Sequence, residues 1–222
     1  MIKLLLQKML SEPEVFPHIT ALTQHYYTPY LNEEHLFVII VRLHEPIWIA
    51  ECDDNYYLDE VVKMLEAKNA RNVFTTNKQL ANSLSGKVDV YSVYTYDRTA
   101  AKRNPELVPL RRNDLSFIIN TYNISQDELY RMYTNHHILG YYYCDELIGY
   151  IGKTDMDSIQ FLYIKKKYRQ CNFVNKIITG TLFQFSDIIS YSLIPYANNL
   201  AKNALAKLNC KDTNKPLFLV NE

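Results

Sequence analysis

The sequence predicts a mixed α and β protein, of the α/β or α+β class, on three observations. β-forming runs alternate along the whole chain with amphipathic stretches of helical period. Each half carries a hairpin signal, and hairpins imply antiparallel pairing. Helix starts are marked by capping residues, as at Ser125-Gln126-Asp127-Glu128. The 222 residues correspond to one large domain or two small ones at about 100–200 residues per domain, and suffice to bury a core without staples.

In the first half, Ile2, Leu5, Leu6 and Met9 share one helical face, Ser11-Glu12-Pro13 breaks it, and a second amphipathic stretch runs from Glu14 to about His25. His35–Leu43 reads as a strand, His44-Glu45-Pro46 as a turn and Ile47–Cys52 as its hairpin partner. Asp53-Asp54-Asn55 caps a helix from about Tyr57 to Lys68, with Leu58, Val61, Val62 and Leu65 on one face. Val73–Thr75 is a short strand, Asn77–Leu84 a short helix, and Val88–Tyr96 a strand of near-perfect alternation. Asp97 to Pro109 is polar, holds Pro105 and Pro109, and lacks periodicity, which makes it the linker. Domains are therefore expected at 1–105 and 106–222.

The second half restarts. Leu110 ends a short strand, Asn113 or Asp114 caps a helix reaching Tyr122, and the Ser125 box opens another to about Asn135. Leu139–Cys144 and Leu147–Gly152 form a hairpin about Asp145-Glu146. Ser158–Ile164 alternates as a strand, and a helix follows through Val174, Ile177, Ile178, Leu182 and Phe185. Ile188–Tyr196 is a strand, Asn198–Leu208 a helix and Pro216–Val220 a last short strand.

Composition excludes several functions. The 24 Lys+Arg balance 24 Asp+Glu, whereas a general nucleic-acid or membrane-surface binder needs a basic excess. Cys52, Cys144, Cys171 and Cys210 are scattered, with neither a zinc-ligand spacing nor a disulfide framework, so no metal is expected and the thiols fit a reduced cytoplasm. No apolar run approaches about 18 residues, so no membrane span is expected.

The informative stretch is Ser158 to Cys210. A strand ends at Ile164, the turn Tyr168-Arg169-Gln170-Cys171-Asn172-Phe173-Val174 follows, and a helix begins at once. Such a junction aims unpaired backbone N–H groups at one spot and is an anion site by geometry. On the later helix, Asn198, Ala201 and Leu205 share a face beside the end of the preceding strand.

These segments resemble the GNAT superfamily of acyl-CoA-dependent N-acyltransferases. IGYIGKTDMDSIQFLYIKKKYRQCNFVNKIITGTL is similar to the family's hairpin, central strand, pyrophosphate turn and following helix, and IPYANNLAKNALAKLNC to its later strand and Asn-x-x-Ala helix. The resemblance runs from about Leu110 to Cys210. Over the first hundred residues the layout is similar to a degenerate N-terminal acyltransferase-like domain, as in relatives of glycine N-acyltransferase.

The resemblance implies an α/β fold with a mostly antiparallel central sheet and flanking helices. It implies that Leu162, Tyr163 and Ile164 offer backbone groups to the pantetheine arm. The family's Arg/Gln-x-x-Gly-x-Gly/Ala turn falls on Arg169, Gln170, Cys171, Asn172, Phe173 and Val174, whose amides would hold the pyrophosphate. Asn198 and Ala201 would lie near the thiol end. Lys165, Lys166 and Lys167 would either attract the cofactor's 3′-phosphate or form a solvated basic patch. Both turn glycines are replaced, by Asn172 and Val174, and Leu205 stands where many members carry the tyrosine acid. Asn tolerates left-handed geometry, whereas Val174 adds bulk near the phosphate.

Candidates for the general base are few: Gln160, Tyr163, Glu146, His136 and His137, with Tyr168 and Tyr196 as proton donors and Cys171 as a thiol near a helix start. Catalytic residues stay unassigned. The implied activity is direct transfer from acetyl-CoA or another acyl-CoA to the amine of a small molecule, with no nucleic-acid or membrane partner and a homodimer compatible with it. The alternative is a catalytically impaired relative acting as a CoA sensor or interaction module.

Overall fold

The structure is a computed structural model that describes residues 4–122, 124–169, 171–186, 191–208 and 210–221. By packing, the chain forms two compact units, Met1–Thr95 with Leu193–Glu222, and Tyr96–Ser192. The first unit begins with α1 (Leu5–Leu10), α2 (Pro17–Leu22), β1 (Tyr27–Asn32), β2 (Leu36–Val41) and β3 (Ile47–Cys52). Then come α3 (Leu58–Ala67), β4 (Val73–Thr75), α4 (Lys78–Ser83) and β5 (Lys87–Thr95). The second unit contributes β6 (Leu107–Pro109), α5 (Leu115–Thr121), α6 (Gln126–Thr134), β7 (Ile138–Tyr143), β8 (Glu146–Lys153), β9 (Ile159–Ile164) and α7 (Phe173–Gln184). The chain continues through β10 (Tyr191–Pro195) to α8 (Asn199–Ala206) and β11 (Lys211–Asn221).

One sheet has the order β1-β2-β3-β4-β11-β5-β10 and the other β6-β7-β8-β9. Within the first, β1–β2, β2–β3, β4–β11 and β11–β5 are antiparallel and β3–β4 is parallel. The second is antiparallel throughout. The expected mixed, mostly antiparallel class with flanking helices is the one observed. Because β11 pairs with both β4 and β5, the segment after Ser192 packs with the first unit. Compact units and the consecutive halves 1–105 and 106–222 therefore do not coincide.

Local chemistry explains the boundaries. Pro17 occupies the first turn of α2, where its missing N–H costs nothing. Asn77 Oδ1 accepts from the N–H groups of Gln79 and Leu80 and so starts α4, and Ser125 Oγ accepts from Glu128 N at 3.1 Å to start α6. Leu36, Val38, Trp48 and Ala50 of β2 and β3 pack with Val61 and Leu65 of α3 and with Phe218 and Val220 of β11. In the second unit, Ile118 of α5 and Leu129 and Met132 of α6 pack against Ile138, Tyr142, Leu147 and Tyr150.

Several expectations need correction. Ile2 lies outside the described residues, and of the two helical stretches expected before His25, both present, the second is confined to Pro17–Leu22. Part of the expected linker is ordered, since a single 3-10 turn spans Arg98–Ala100 and β6 pairs with β7. The hairpin turns at Cys144 and Asp145, whose φ values of 48° and 61° are those of a type I′ turn, so Glu146 already belongs to β8. Ile188 of the expected later strand lies outside the described residues, and the final strand is eleven residues long, not five. Among the described residues, no helix is long and apolar enough to cross a membrane.

Candidate functional site

β9 is the terminal strand of the four-stranded sheet, so one edge faces away from β8. Lys165 N donates to Ile148 O at 2.9 Å across that pairing. By two-residue alternation, the amide groups of Leu162 and Ile164 point to the open edge and those of Tyr163 to β8. The carbonyl of Ile164 is already engaged, accepting from Arg169 Nε at 3.0 Å. The Tyr163 ring is stacked on Tyr150 at 5.4 Å and meets Phe117 edge-on at 5.7 Å, so its side chain is a packing element.

The strand is bulged. Phe161 has φ 60°, and the β8–β9 register shifts between Tyr150 and Gly152. A bulky residue in the left-handed region costs on the order of 1–3 kcal/mol and persists only where its surroundings hold it. Here Tyr122 packs against the Phe161 ring at 4.9 Å. Near the start of β9, Ser158 bridges Tyr191, and the buried Ser192 hydroxyl donates to Ile159 O at 2.5 Å while bonded to Tyr96 Oη at 2.6 Å. Neither the bulge nor this hydroxyl chain was anticipated. Phe161 gives no local signal, because only pairing geometry reveals a bulge.

The turn after β9 is held by one carboxylate. Glu146 accepts from Lys165 Nζ at 3.3 Å, Lys167 Nζ at 3.0 Å and Tyr168 Oη at 2.7 Å. The Tyr168 hydrogen bond, followed by the Lys167 one, holds its carboxyl down to about 2. Two of the three lysines that would draw a phosphate are thus committed to Glu146, and so is a proposed base. Asn172 occupies the N-cap position of α7, without a side-chain cap hydrogen bond, at φ 54° and ψ 22°, the left-handed conformation that glycine supplies most readily. Phe173 packs against Tyr141 at 5.4 Å and Tyr168 at 6.1 Å, which anchors the helix and leaves only its amide for a ligand. The first N–H groups of the twelve-residue α7 have no acceptor within the helix.

Of the sequence-predicted residues, Leu162, Tyr163, Ile164, Arg169, Cys171, Asn172, Phe173 and Val174 share this one strand–turn–helix junction of the second unit. Gln170 lies outside the described residues. Asn198 and Ala201 belong to the first unit, where Asn198 Oδ1 accepts from Ala201 N at 3.1 Å and caps α8. Leu205 is buried on that helix. Cys171 is exposed. Among the base candidates, His137 sits 3.8 Å from Asp155, which also faces Arg131 Nε at 3.2 Å. Burial first, then the Lys153 ammonium, lowers the His137 pKa, which keeps the ring neutral.

No protein-family model and no curated protein matches the sequence. Solved structures do match in fold. An X-ray structure of a Drosophila protein is 13% identical, with 98% of this chain and 97% of that one covered at a TM-score of 0.62. A GNAT-family acetyltransferase from Colwellia psychrerythraea is 10% identical, with 99% of each chain covered and a TM-score of 0.52. A GCN5-related N-acetyltransferase from Kribbella flavida is 7% identical, with 94% and 95% covered and a TM-score of 0.55. The chain has the fold of these acetyltransferases.

Proposed function

We propose that the second unit binds an acyl-CoA, acetyl-CoA first, and transfers its acyl group to the amine of a small molecule. The observation that carries this reading is Asn172. It adopts at the N-terminus of α7 the left-handed conformation for which the family's turn uses glycine, which supports an amide cradle formed without the glycine. The open edge at Leu162 supports a place for the pantetheine arm, and the bulge at Phe161 fits amides turned towards a thioester carbonyl. In the transfer an amide bond forms as the thioester breaks, the amine loses one proton, and the sulfur leaves as thiolate. The neutral His137 is the described imidazole best suited to take that proton, directly or through water.

We read the first unit as a degenerate copy of the same fold, so that 1–105 and 106–222 are divisions of ancestry. Its order of two helices, three strands, helix, strand and helix (α1 to α4) is repeated from α5 to α8. At its equivalent turn stands Asp53-Asp54-Asn55, which repels phosphate. Leu205, in place of a tyrosine acid, and Val174 in the turn favour a second reading, a CoA-binding sensor.

Calorimetry with acetyl-CoA and CoA, paired with thiol release over an amine panel, tests both. Micromolar binding with thiol release is expected. Binding without release on any amine selects the sensor, and no binding at high micromolar concentration removes both.

A further inference from the structure

The first unit holds a cavity of about 400 Å³ that the acyl-transfer reading does not use. It opens beyond the carboxyl ends of the parallel strands β3 and β4, where α/β sheets place their ligands. Its size is within the range of small-molecule sites, about 300–1,000 Å³.

Glu51, 3% exposed, lies on its lining. The carboxylate accepts from Thr76 N at 2.5 Å, Thr76 Oγ1 at 3.0 Å and Thr75 Oγ1 at 3.3 Å. All three donors are neutral, so among the described residues the ionised carboxylate has hydrogen bonds without a countercharge, an arrangement completed by a cation. A metal ion is a poor candidate, because among the described residues no three His, Cys, Asp or Glu side chains are grouped to hold one.

The rest of the lining divides by chemistry. Leu5, Met9, Val15 and Phe16 supply an apolar wall. Lys8 and Lys215 supply ammonium groups, and Glu12 and Asp53 supply carboxylates at exposed positions. Asp53 is paired with His35 at 3.0 Å. Cys52 also lines the cavity, its thiol pushed up to about 11 by burial and so uncharged. An anion alone would face three carboxylates, and an apolar ligand alone would leave Glu51 uncompensated.

We propose that this cavity binds a small zwitterion with an apolar side chain, the class of free aliphatic and aromatic α-amino acids. The ligand's ammonium pairs with Glu51, its carboxylate faces Lys8 and Lys215, and its side chain lies on Met9 and Phe16.

Calorimetry on the full chain tests it with L-leucine, L-phenylalanine, leucinamide and 4-methylpentanoate at pH 8. Saturable binding of an amino acid is expected, at least tenfold weaker for the analogue lacking the ammonium and for the one lacking the carboxylate. Glu51→Gln is expected to lose tenfold or more, and wild-type affinity to fall by a similar factor between pH 8 and pH 5 as Glu51 protonates. Absence of binding by both amino acids overturns the proposal. So does 4-methylpentanoate binding as well as leucine, or affinity that ignores pH between 5 and 8. The analogue and pH arms need only the wild-type chain, so a poorly folding variant leaves the test intact.

Discussion

Replacing Glu51 by Gln should stabilise the first unit at alkaline pH and leave it unchanged in acid. Burial raises the Glu51 carboxyl from 4.5 to about 7, against the opposing hydrogen bonds of Thr76 and Thr75. Between those values the folded chain holds a proton that the unfolded chain has released, so stability falls as pH rises from 4.5 through 7. At about 1.4 kcal/mol per pH unit, the loss reaches about 3 kcal/mol at pH 8. Glutamine mimics the neutral acid. Its carbonyl accepts from Thr76 N, and its amide donates to the Thr75 and Thr76 hydroxyls, which can accept as readily as donate.

Urea unfolding followed by Trp48 gives the assay. It is the chain's one tryptophan and sits on β3 three residues before Glu51, so its fluorescence reports the first unit. The variant and wild-type midpoints should coincide near pH 4.5 and separate by about 1 M or more at pH 8, given slopes of about 1–3 kcal/mol/M. Midpoints that run parallel from pH 4.5 to pH 8 would refute the reasoning, since they would mean that Glu51 ionises alike in both states.

Two further predictions concern the frame of the two units. His18 is fully buried, neither ring nitrogen has a hydrogen-bond partner among the described residues, and burial lowers its pKa from 6.5 to about 3. Its contribution is present above pH 6.5 and lost as pH falls towards 3, by about 5 kcal/mol in all; His18→Leu should remove that acid limb in pH-dependent urea melts, and an unchanged limb would assign it to other groups. At Gly149 an added Cβ would lie 2.4 Å from the Tyr163 carbonyl, a backbone atom that cannot step aside; Gly149→Ala should cost about 2–3 kcal/mol by overpacking and, under the proposed function, weaken acetyl-CoA binding by displacing β9, whereas a loss below about 0.5 kcal/mol in a urea melt would show that the strands separate freely.

Much of this architecture is legible in local chemistry. The hairpin of β2 and β3, the capped starts of α4 and α6, and the junction from β9 into α7 all follow from short-range patterns. β1 does not, because Pro29 argues against a strand. It is tolerated there because β1 ends the sheet, where a missing N–H costs no ladder bond. The polar first half of β11 conceals a strand whose pairing with β5 is fixed by residues more than a hundred positions away. At the site, Asn172 is readable because Asn is one of the few residues that adopts left-handed geometry, but Phe161 is not. Glu51 shows the same limit. Inside the strand Ile47–Cys52 it looks like a solvent-facing residue, and only the fold reveals that both faces of β3 are covered.

The place of β11 bears on how the chain is made. Val220 stands opposite Val73 on one side and Val88 on the other, so the first sheet remains in two pieces until its last strand arrives. A nascent chain that has emerged only as far as Ser192 already contains every residue of the second unit, while β4 and β5 still present bare edges. The first unit thus closes only after every residue of the second has been made, and in that interval the unpaired edges of β4 and β5 are open to misassociation.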